Sequence, residues 1–167
     1  MERRDLFRIL PAAALAGSVV GAEQSQGRVF SADEYAQVDC LTELILPADE
    51  DGPGASLSRV AFYIDRVLFY GEEGNRQRWR EGLRLIDAQA NARFGKAFLK
   101  LTKADQEKIL FELAAAEEHP SSEAEKFFVV LKKMTIDGFF LSDVAEKDYF
   151  HYTGNAPIDE FPGCEKS

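Results

Sequence analysis

The chain contains 167 residues, with 29 acidic and 20 basic side chains and a formal net charge of -9 at pH 7. Nucleic acids and anionic lipid surfaces attract clustered lysine and arginine, so this charge balance argues against both as partners. The length is that of one domain with a buried core, and neither an internal repeat nor a low-complexity segment divides it.

The N-terminus carries the features of an export signal. Arginines precede an apolar run of about a dozen residues, which is too short to cross a bilayer because a spanning helix takes about 20. The run ends in small residues that suit cleavage after Ala22. The stretch RRDLFR resembles a twin-arginine signal, in which Arg3 and Arg4 are the pair and Leu6 and Phe7 follow it.

This interpretation assigns residues 1–22 to a cleaved twin-arginine signal and places the mature protein in the periplasm. The route carries proteins that are already folded, often with cofactors inside. The chain would therefore fold before export or travel bound to a protein that does. Ordinary secretion and a structured N-terminal helix are the alternatives. Removing the signal leaves 17 basic and 27 acidic residues, a net charge of -10.

Cys40 and Cys164 are the only cysteines, and they stand at opposite ends of the mature chain. In an oxidising periplasm they would be able to form a disulfide that ties the tail to the first helix. The alternative is a buried thiol at one position and an unrelated exposed thiol at the other. Neither lies in a CxxC or CxxCH motif, so a redox motif, a zinc site and a covalent haem lack support.

Two helices are predicted in the first half of the mature chain. Ser31 and Glu34 form a capping box, and the helix that they open should end at Leu46 because Pro47 disfavours helix in the residue before it. After the loop PADEDGPG, a second helix is expected from about Ser56 to Tyr70. The core residues expected on these two helices are Tyr35, Val38, Leu41, Leu44, Ile45, Val60, Ile64, Val67 and Leu68.

A third, more polar helix is predicted from about Glu73 to Phe94, with Gly95 as its stop. The alternating stretch KAFLKL has no evident strand partner and is interpreted as an extended connector. Capping pairs then open two further helices: Thr102 with Asp105, and Ser122 with Glu125. The core residues expected on these three helices are Trp79, Leu83, Ile86, Ile109, Leu110, Leu113, Phe127, Val130, Leu131 and Met134.

The predicted fold is therefore all-α, with four to five helices in a single domain over residues 23–140. Residues 141–167 form a tail without periodicity that contains Gly, Pro and aromatic side chains. A disordered tail would not need the aromatics, so we expect it to pack on its own domain or on a partner. The candidate interface residues are Met134, Phe139, Phe140, Tyr149, Phe150, Tyr152, Asn155 and Phe161.

Catalytic and metal-binding motifs are missing from the sequence. His119 stands where it can complement a helix dipole, and His151 lies between two aromatics, where packing is expected. The acidic turn DEDG lacks the flanking ligands of a calcium loop. No dinucleotide fingerprint, phosphate loop or Ser/His/Asp order occurs, so no cofactor is expected in this chain. The basic cluster on the third helix is either a solvated face or a patch for an acidic partner: Arg76, Arg78, Arg80 and Arg84.

Several segments, in order, resemble the gluconate 2-dehydrogenase subunit 3 family. After the twin-arginine leader come LTELILPADEDGPGA and VAFYIDRVL, then FLKLTKADQEKIL and FFVVLKKMTIDGFF, and finally YTGN and FPG. The resemblance covers nearly all of the mature chain and rests on the order and spacing of these pieces. The stretch 141–151 between GFF and YTGN looks longer than is common in family tails.

The resemblance implies a non-catalytic small subunit. Such subunits accompany an FAD-dependent large subunit of the glucose-methanol-choline type and often a c-type cytochrome that passes electrons to quinones. The large subunit commonly lacks a leader, so the twin-arginine signal of the small subunit and its translocase would export both chains. FAD is therefore expected in the partner. Two alternatives remain: an independent binding or regulatory module, and a stand-alone enzyme that uses scattered carboxylates.

Overall fold

The computed structural model of the chain describes residues 28–50 and 52–151. This part contains five α-helices, no strand and no helix long and apolar enough to cross a membrane. The helices are α1 (Ala32–Ile45), α2 (Val60–Tyr70), α3 (Glu73–Phe94), α4 (Lys103–Ala115) and α5 (Glu123–Phe140). The all-α prediction is confirmed. The predicted signal 1–22 and most of the tail lie outside the described residues.

Helix α5 forms the centre of the fold and packs against each of the other four α-helices. Its most extensive contact is with α3, where Gly82 faces the ring of Phe127. A Cβ atom at Gly82 would lie 2.2 Å from that ring, so glycine is required for this approach. Trp79, one turn earlier on α3, packs edge-on against Phe127 with 5.3 Å between ring centroids. Aromatic side chains therefore fix the α3–α5 contact.

The predicted helix starts of α1, α4 and α5 are confirmed at atomic detail. Ser31 and Glu34 form the capping box of α1, and the hydroxyl of Thr102 accepts the first-turn N–H of Asp105 in α4. At α5 the Glu125 carboxylate accepts the backbone N–H groups of Ser121 at 2.7 Å and Ser122 at 2.9 Å. These contacts satisfy donors that a helix start otherwise leaves unpaired.

The Glu125 cap gives a pH prediction. Hydrogen bonds from Ser122 and Ser121 lower the pKa of Glu125 from 4.5 to about 2. A carboxyl group whose pKa is lower in the folded state stabilises the fold above its unfolded pKa and loses that contribution as pH falls from about 4.5 toward 2. Thermal melting of Glu125→Gln should therefore lie below wild type at pH 7 and approach it at pH 3. An equal difference at both pH values would contradict the prediction.

Helix α2 begins at Val60, four residues later than the sequence predicts from Ser56. Residues 55–59 form turns, and Arg59 adopts a left-handed conformation with φ of 56°. That conformation costs a residue with a side chain about 1 kcal/mol. The Arg59 N–H donates to the Ser56 carbonyl at 3.0 Å within these turns. The Glu43 carboxylate accepts the backbone N–H groups of Ala48 at 3.1 Å and Ser56 at 2.8 Å. Glu43 thereby pins both ends of the α1–α2 loop.

Gly54 lies inside this loop at a position that excludes a side chain. A Cβ atom there would lie 2.5 Å from the Ala48 nitrogen and 2.5 Å from a Glu43 carboxylate oxygen. The Ala55 N–H also donates to the Leu46 carbonyl at 2.9 Å. Glycine therefore permits the tight closure of the segment between α1 and α2.

The segment KAFLKL is not an extended connector as predicted. It contains a 3-10 helix, Phe98–Lys100, between α3 and α4. Phe98 is completely buried, its N–H donates to Asp87 at 2.8 Å and its carbonyl accepts from Gln106 at 3.0 Å. These contacts with α3 and α4 hold the segment in a turn, which the alternating pattern alone did not indicate.

Residues 28–30, which precede α1, are hydrogen-bonded to α2. The Asp65 side chain is 2% exposed, and its carboxylate accepts the backbone N–H groups of Arg28 at 2.7 Å, Val29 at 3.0 Å and Phe30 at 3.2 Å. From α3, the Arg80 guanidinium donates to the Val29 carbonyl at 2.8 Å. Two charged side chains thus hold three successive residues against the helices.

Candidate partner interface

Four aromatic rings from the predicted interface set come together at the end of α5. The π-helical turn Ala145–Tyr149, which follows α5, brings Tyr149 back onto Phe139 with 5.8 Å between ring centroids. Phe150 lies 5.6 Å from Phe140 and 5.0 Å from Tyr149, and Phe139 and Phe140 are 5.6 Å apart. The rings form a closed circuit, which we call the aromatic platform: Phe139, Phe140, Tyr149 and Phe150.

One member of the platform is in the core and three face solvent. Phe139 is 6% exposed, whereas Phe140, Tyr149 and Phe150 are 49%, 46% and 50% exposed. Half-exposed rings leave apolar surface in water, and such clusters commonly mark interaction sites. Phe139 thus packs in the core, and the other three rings of the platform are accessible from solvent.

The α1–α2 loop forms the opposite wall of a groove beside the platform. The groove has a volume of about 390 Å³, and its loop side includes Leu46, Pro47 and Pro53. Gly52 lies against Tyr149, since a Cβ atom on Gly52 would be 3.1 Å from the tyrosine ring. Sequence reasoning missed this wall, although Pro and Gly in LPADEDGPGA are the residues that a tightly turned loop requires.

The remaining predicted interface residues are not part of the platform. Met134 lines a different groove, of about 940 Å³, between α2, α3 and α5. Val67 and Val130, which were predicted in the core, line the same groove and are 41% and 46% exposed. The prediction was wrong for these two valines, because their side chains border the open groove between α2, α3 and α5. Tyr152, Asn155 and Phe161 lie outside the described residues.

The basic cluster on α3 is largely used within the fold. The Arg76 guanidinium donates to the carbonyls of Leu68 at 2.9 Å and Phe69 at 2.8 Å, which caps the C-terminus of α2. The Arg80 guanidinium donates to the Val29 carbonyl, and Arg84 forms an ion pair with Glu81 at 2.8 Å. These three arginines therefore stabilise their own chain.

Cys40 is half-buried on α1. Burial raises the pKa of its thiol, nearby Asp39 raises it further, and a hydrogen bond with Gln106 acts in the opposite direction. A raised pKa reduces the thiolate fraction and with it the reactivity of the side chain. Cys164 lies outside the described residues, so the disulfide between the two stays a prediction.

Within residues 28–50 and 52–151, no group of three or more His, Cys, Asp or Glu side chains is arranged to hold a metal ion. His119 and His151 are both exposed, and His151 has a left-handed φ of 52° just after the platform.

The family model of gluconate 2-dehydrogenase subunit 3 matches residues 32–163. The chain belongs to this family. The match begins at the first residue of α1 and spans all five α-helices, the aromatic platform and most of the tail. The family description indicates an accessory subunit of a gluconate 2-dehydrogenase complex. No curated protein and no solved structure matched the chain.

Proposed function

We propose that this subunit 3 chain is the non-catalytic small subunit of a periplasmic FAD-dependent dehydrogenase that oxidises gluconate, another sugar or a polyol. The observation that carries the proposal is the family match over residues 32–163. The catalytic partner is a large subunit of the glucose-methanol-choline type that holds the FAD. A c-type cytochrome is the further partner through which electrons leave the complex, and it would hold the complex at the inner membrane.

The small subunit would also export and stabilise its partner. The leader contains the twin-arginine pair Arg3 and Arg4, and this route accepts folded passengers. A flavin-loaded large subunit without a leader would reach the periplasm by binding to this chain before translocation.

The aromatic platform is the surface that we assign to the large subunit. Its three outward rings are about half exposed, and the groove beside it is lined mainly by apolar residues, with Asp49 on the loop side. Aromatic residues are enriched where binding energy concentrates in protein interfaces. The tail residues Tyr152, Asn155 and Phe161 follow the platform in sequence and extend the same proposed interface.

The test of the function is affinity purification of the C-terminally tagged full-length chain from its native host. The eluate is analysed by mass spectrometry and by an absorbance scan. A large partner with a flavin spectrum, recovered from the periplasmic fraction, would support both the assembly and the export parts of the proposal. A colourless, solitary chain under conditions that preserve complexes would favour an independent helical binding or regulatory module.

The platform makes a specific mutational prediction. The double variant Tyr149→Ala/Phe150→Ala should weaken binding of the flavoprotein at least tenfold, because truncating central aromatic contacts costs about 1 kcal/mol or more each. The dissociation constant is measured with the purified large subunit, and circular dichroism checks that the helices remain. The control is Phe111→Ala on α4, where an aromatic side chain that is 78% exposed is removed far along the chain from the platform. Unchanged affinity in the double variant would contradict the assignment.

A further inference from the structure

The outer face of α2 carries arginine and aromatic side chains in alternation. The Arg59 guanidinium lies 4.5 Å from the ring centroid of Phe62. Arg66 lies one helical turn after Phe62, and its guanidinium is 5.7 Å from the centroid of the same ring. The Arg66 guanidinium is also 5.3 Å from the ring centroid of Tyr70 and donates to the Tyr70 hydroxyl at 3.4 Å. Each guanidinium is therefore held over an aromatic face, an arrangement that is favourable for a cation.

The alternation continues to the end of α2 and includes Arg28, which precedes α1. Phe69 meets Tyr70 edge to face with 5.1 Å between centroids, and the Arg28 guanidinium lies 5.0 Å from the Phe69 ring. The result is one continuous row of contacts along α2, which we call the arginine–aromatic ladder: Arg28, Arg59, Phe62, Arg66, Phe69 and Tyr70.

The positive charge of the ladder is not neutralised by the described part of the chain. No carboxylate oxygen there lies within 4.0 Å of Arg28, Arg59 or Arg66, although the arginines Arg76, Arg80, Arg84 and Arg93 each have one. The only acidic residue of α2, Asp65, is buried and occupied by backbone N–H groups. A cationic stripe thus stands on a protein whose net charge is -9.

The rings of the ladder are also accessible to a partner. Phe62 and Phe69 are 39% and 38% exposed, and Tyr70 is 70% exposed. Arg59 reaches its ring from a left-handed backbone conformation that few residues other than glycine adopt. Strained backbone that places a side chain at a surface is a recurrent feature of binding sites.

We propose that the arginine–aromatic ladder is a docking surface for a carboxylate-rich surface of the large flavoprotein subunit. This inference rests on the proposed function and adds a second contact area that shares no residue with the aromatic platform. Charge complementarity identifies the partner chemistry, because three guanidinium groups without carboxylates of their own would each gain a charged acceptor. Guanidinium groups bind carboxylates through two parallel hydrogen bonds, and the rings keep those groups in place.

The observations favour a protein over an anionic membrane. The negative charge of the whole chain opposes approach to a negatively charged lipid surface. Every cation in the ladder is arginine and none is lysine, and Arg, Tyr and Phe together have the composition of a protein interface. The experiment therefore measures binding to a phospholipid surface as well as binding to the flavoprotein.

The test measures the affinity of the full-length chain for the purified flavoprotein at 50 and 300 mM NaCl. Wild-type affinity should fall with salt, since exposed charge pairs are screened. Arg59→Gln/Arg66→Gln should bind about tenfold more weakly at low salt and show a smaller salt effect. Arg59→Lys/Arg66→Lys, which keeps the charge but loses the planar fork, should fall between the two. Melting temperatures verify that each variant is folded.

The matched control is Arg84→Gln/Arg93→Gln on α3, which removes the same charge from arginines that pair with Glu81 and Glu112. It should bind within about twofold of wild type. Equal affinities for the wild type and the ladder variant would overturn the docking surface while leaving the proposed function intact. Failure of the wild type to bind the flavoprotein would overturn both.

The last measurement is the binding of the wild-type chain and the ladder variant to vesicles of phosphatidylglycerol and phosphatidylcholine. We expect no binding of the wild-type chain to them. Binding that the ladder variant loses, without any change in flavoprotein affinity, would overturn the protein assignment and identify the ladder as a lipid-binding surface.

Discussion

Replacing Asp65 with alanine is expected to lower the free energy of unfolding by about 3 kcal/mol. The carboxylate is 2% exposed and accepts three successive N–H groups from residues 28–30. Without it, two of these donors stay buried and lack an acceptor. The loss should appear as a lower urea midpoint and as faster hydrogen exchange at Val29 and Phe30.

Two further variants sharpen this prediction. Asp65→Asn keeps one oxygen for Val29 and Phe30 but turns an amide NH₂ toward the Arg28 N–H, so it should lose an intermediate amount of stability. Glu118→Ala, which removes an exposed carboxylate after α4, should change stability by less than about 0.5 kcal/mol. If Asp65→Ala unfolds at the wild-type urea concentration, Asp65 does not hold the N-terminal segment.

Replacing Gly82 with alanine should destabilise the protein by about 2 kcal/mol, although alanine is the better helix former. The added methyl group would lie 2.2 Å from the Phe127 ring at the α3–α5 contact. The close contacts are with the Cγ and Cδ atoms at the base of the ring, so the Phe127 side chain has to change its rotamer and give up its contact with Trp79. Thermal or urea unfolding measures the effect.

The same helix offers a control of opposite sign. Gly74 also lies in α3, and a Cβ atom there would meet nothing within 4 Å. Gly74→Ala should therefore stabilise the protein by about 0.5 kcal/mol. The loss of stability caused by Gly82→Ala should also be smaller in a Phe127→Leu background, because leucine leaves more room for the added methyl group. Equal effects of the two Gly→Ala changes would refute the steric explanation.

Local signals in the sequence predicted the helices well. Capping residues such as Ser31 and Ser122 act on the N–H groups that follow them, and Gly95 ends α3 with φ of 66° as expected. These interactions span three or four residues, so they can be read without knowledge of the fold. Helical spacing likewise identified Leu83 and Ile86 as core residues, and they are 2% and 0% exposed.

Contacts between distant residues were not predictable in this way. Nothing local indicates that Glu43 binds the amide of Ser56 across the α1–α2 loop, or that Asp65 binds residues 28–30. The valines at 67 and 130 have the spacing of core residues, but they line an open groove between α2, α3 and α5. The ladder was also missed, although its side chains at 59, 62, 66 and 70 recur at steps of three and four.

The fastening of residues 28–30 has a consequence for processing. If a signal peptidase cuts after Ala22, as the leader predicts, only residues 23–27 separate the cut from the first backbone group held by Asp65. Residues 28–30 lie beyond the predicted cut, so the three N–H groups that Asp65 holds belong to both the precursor and the mature chain. Cleavage after Ala22 would remove no residue of the aromatic platform or of the arginine–aromatic ladder. If a complex forms on these surfaces before export, we therefore expect it to persist after processing.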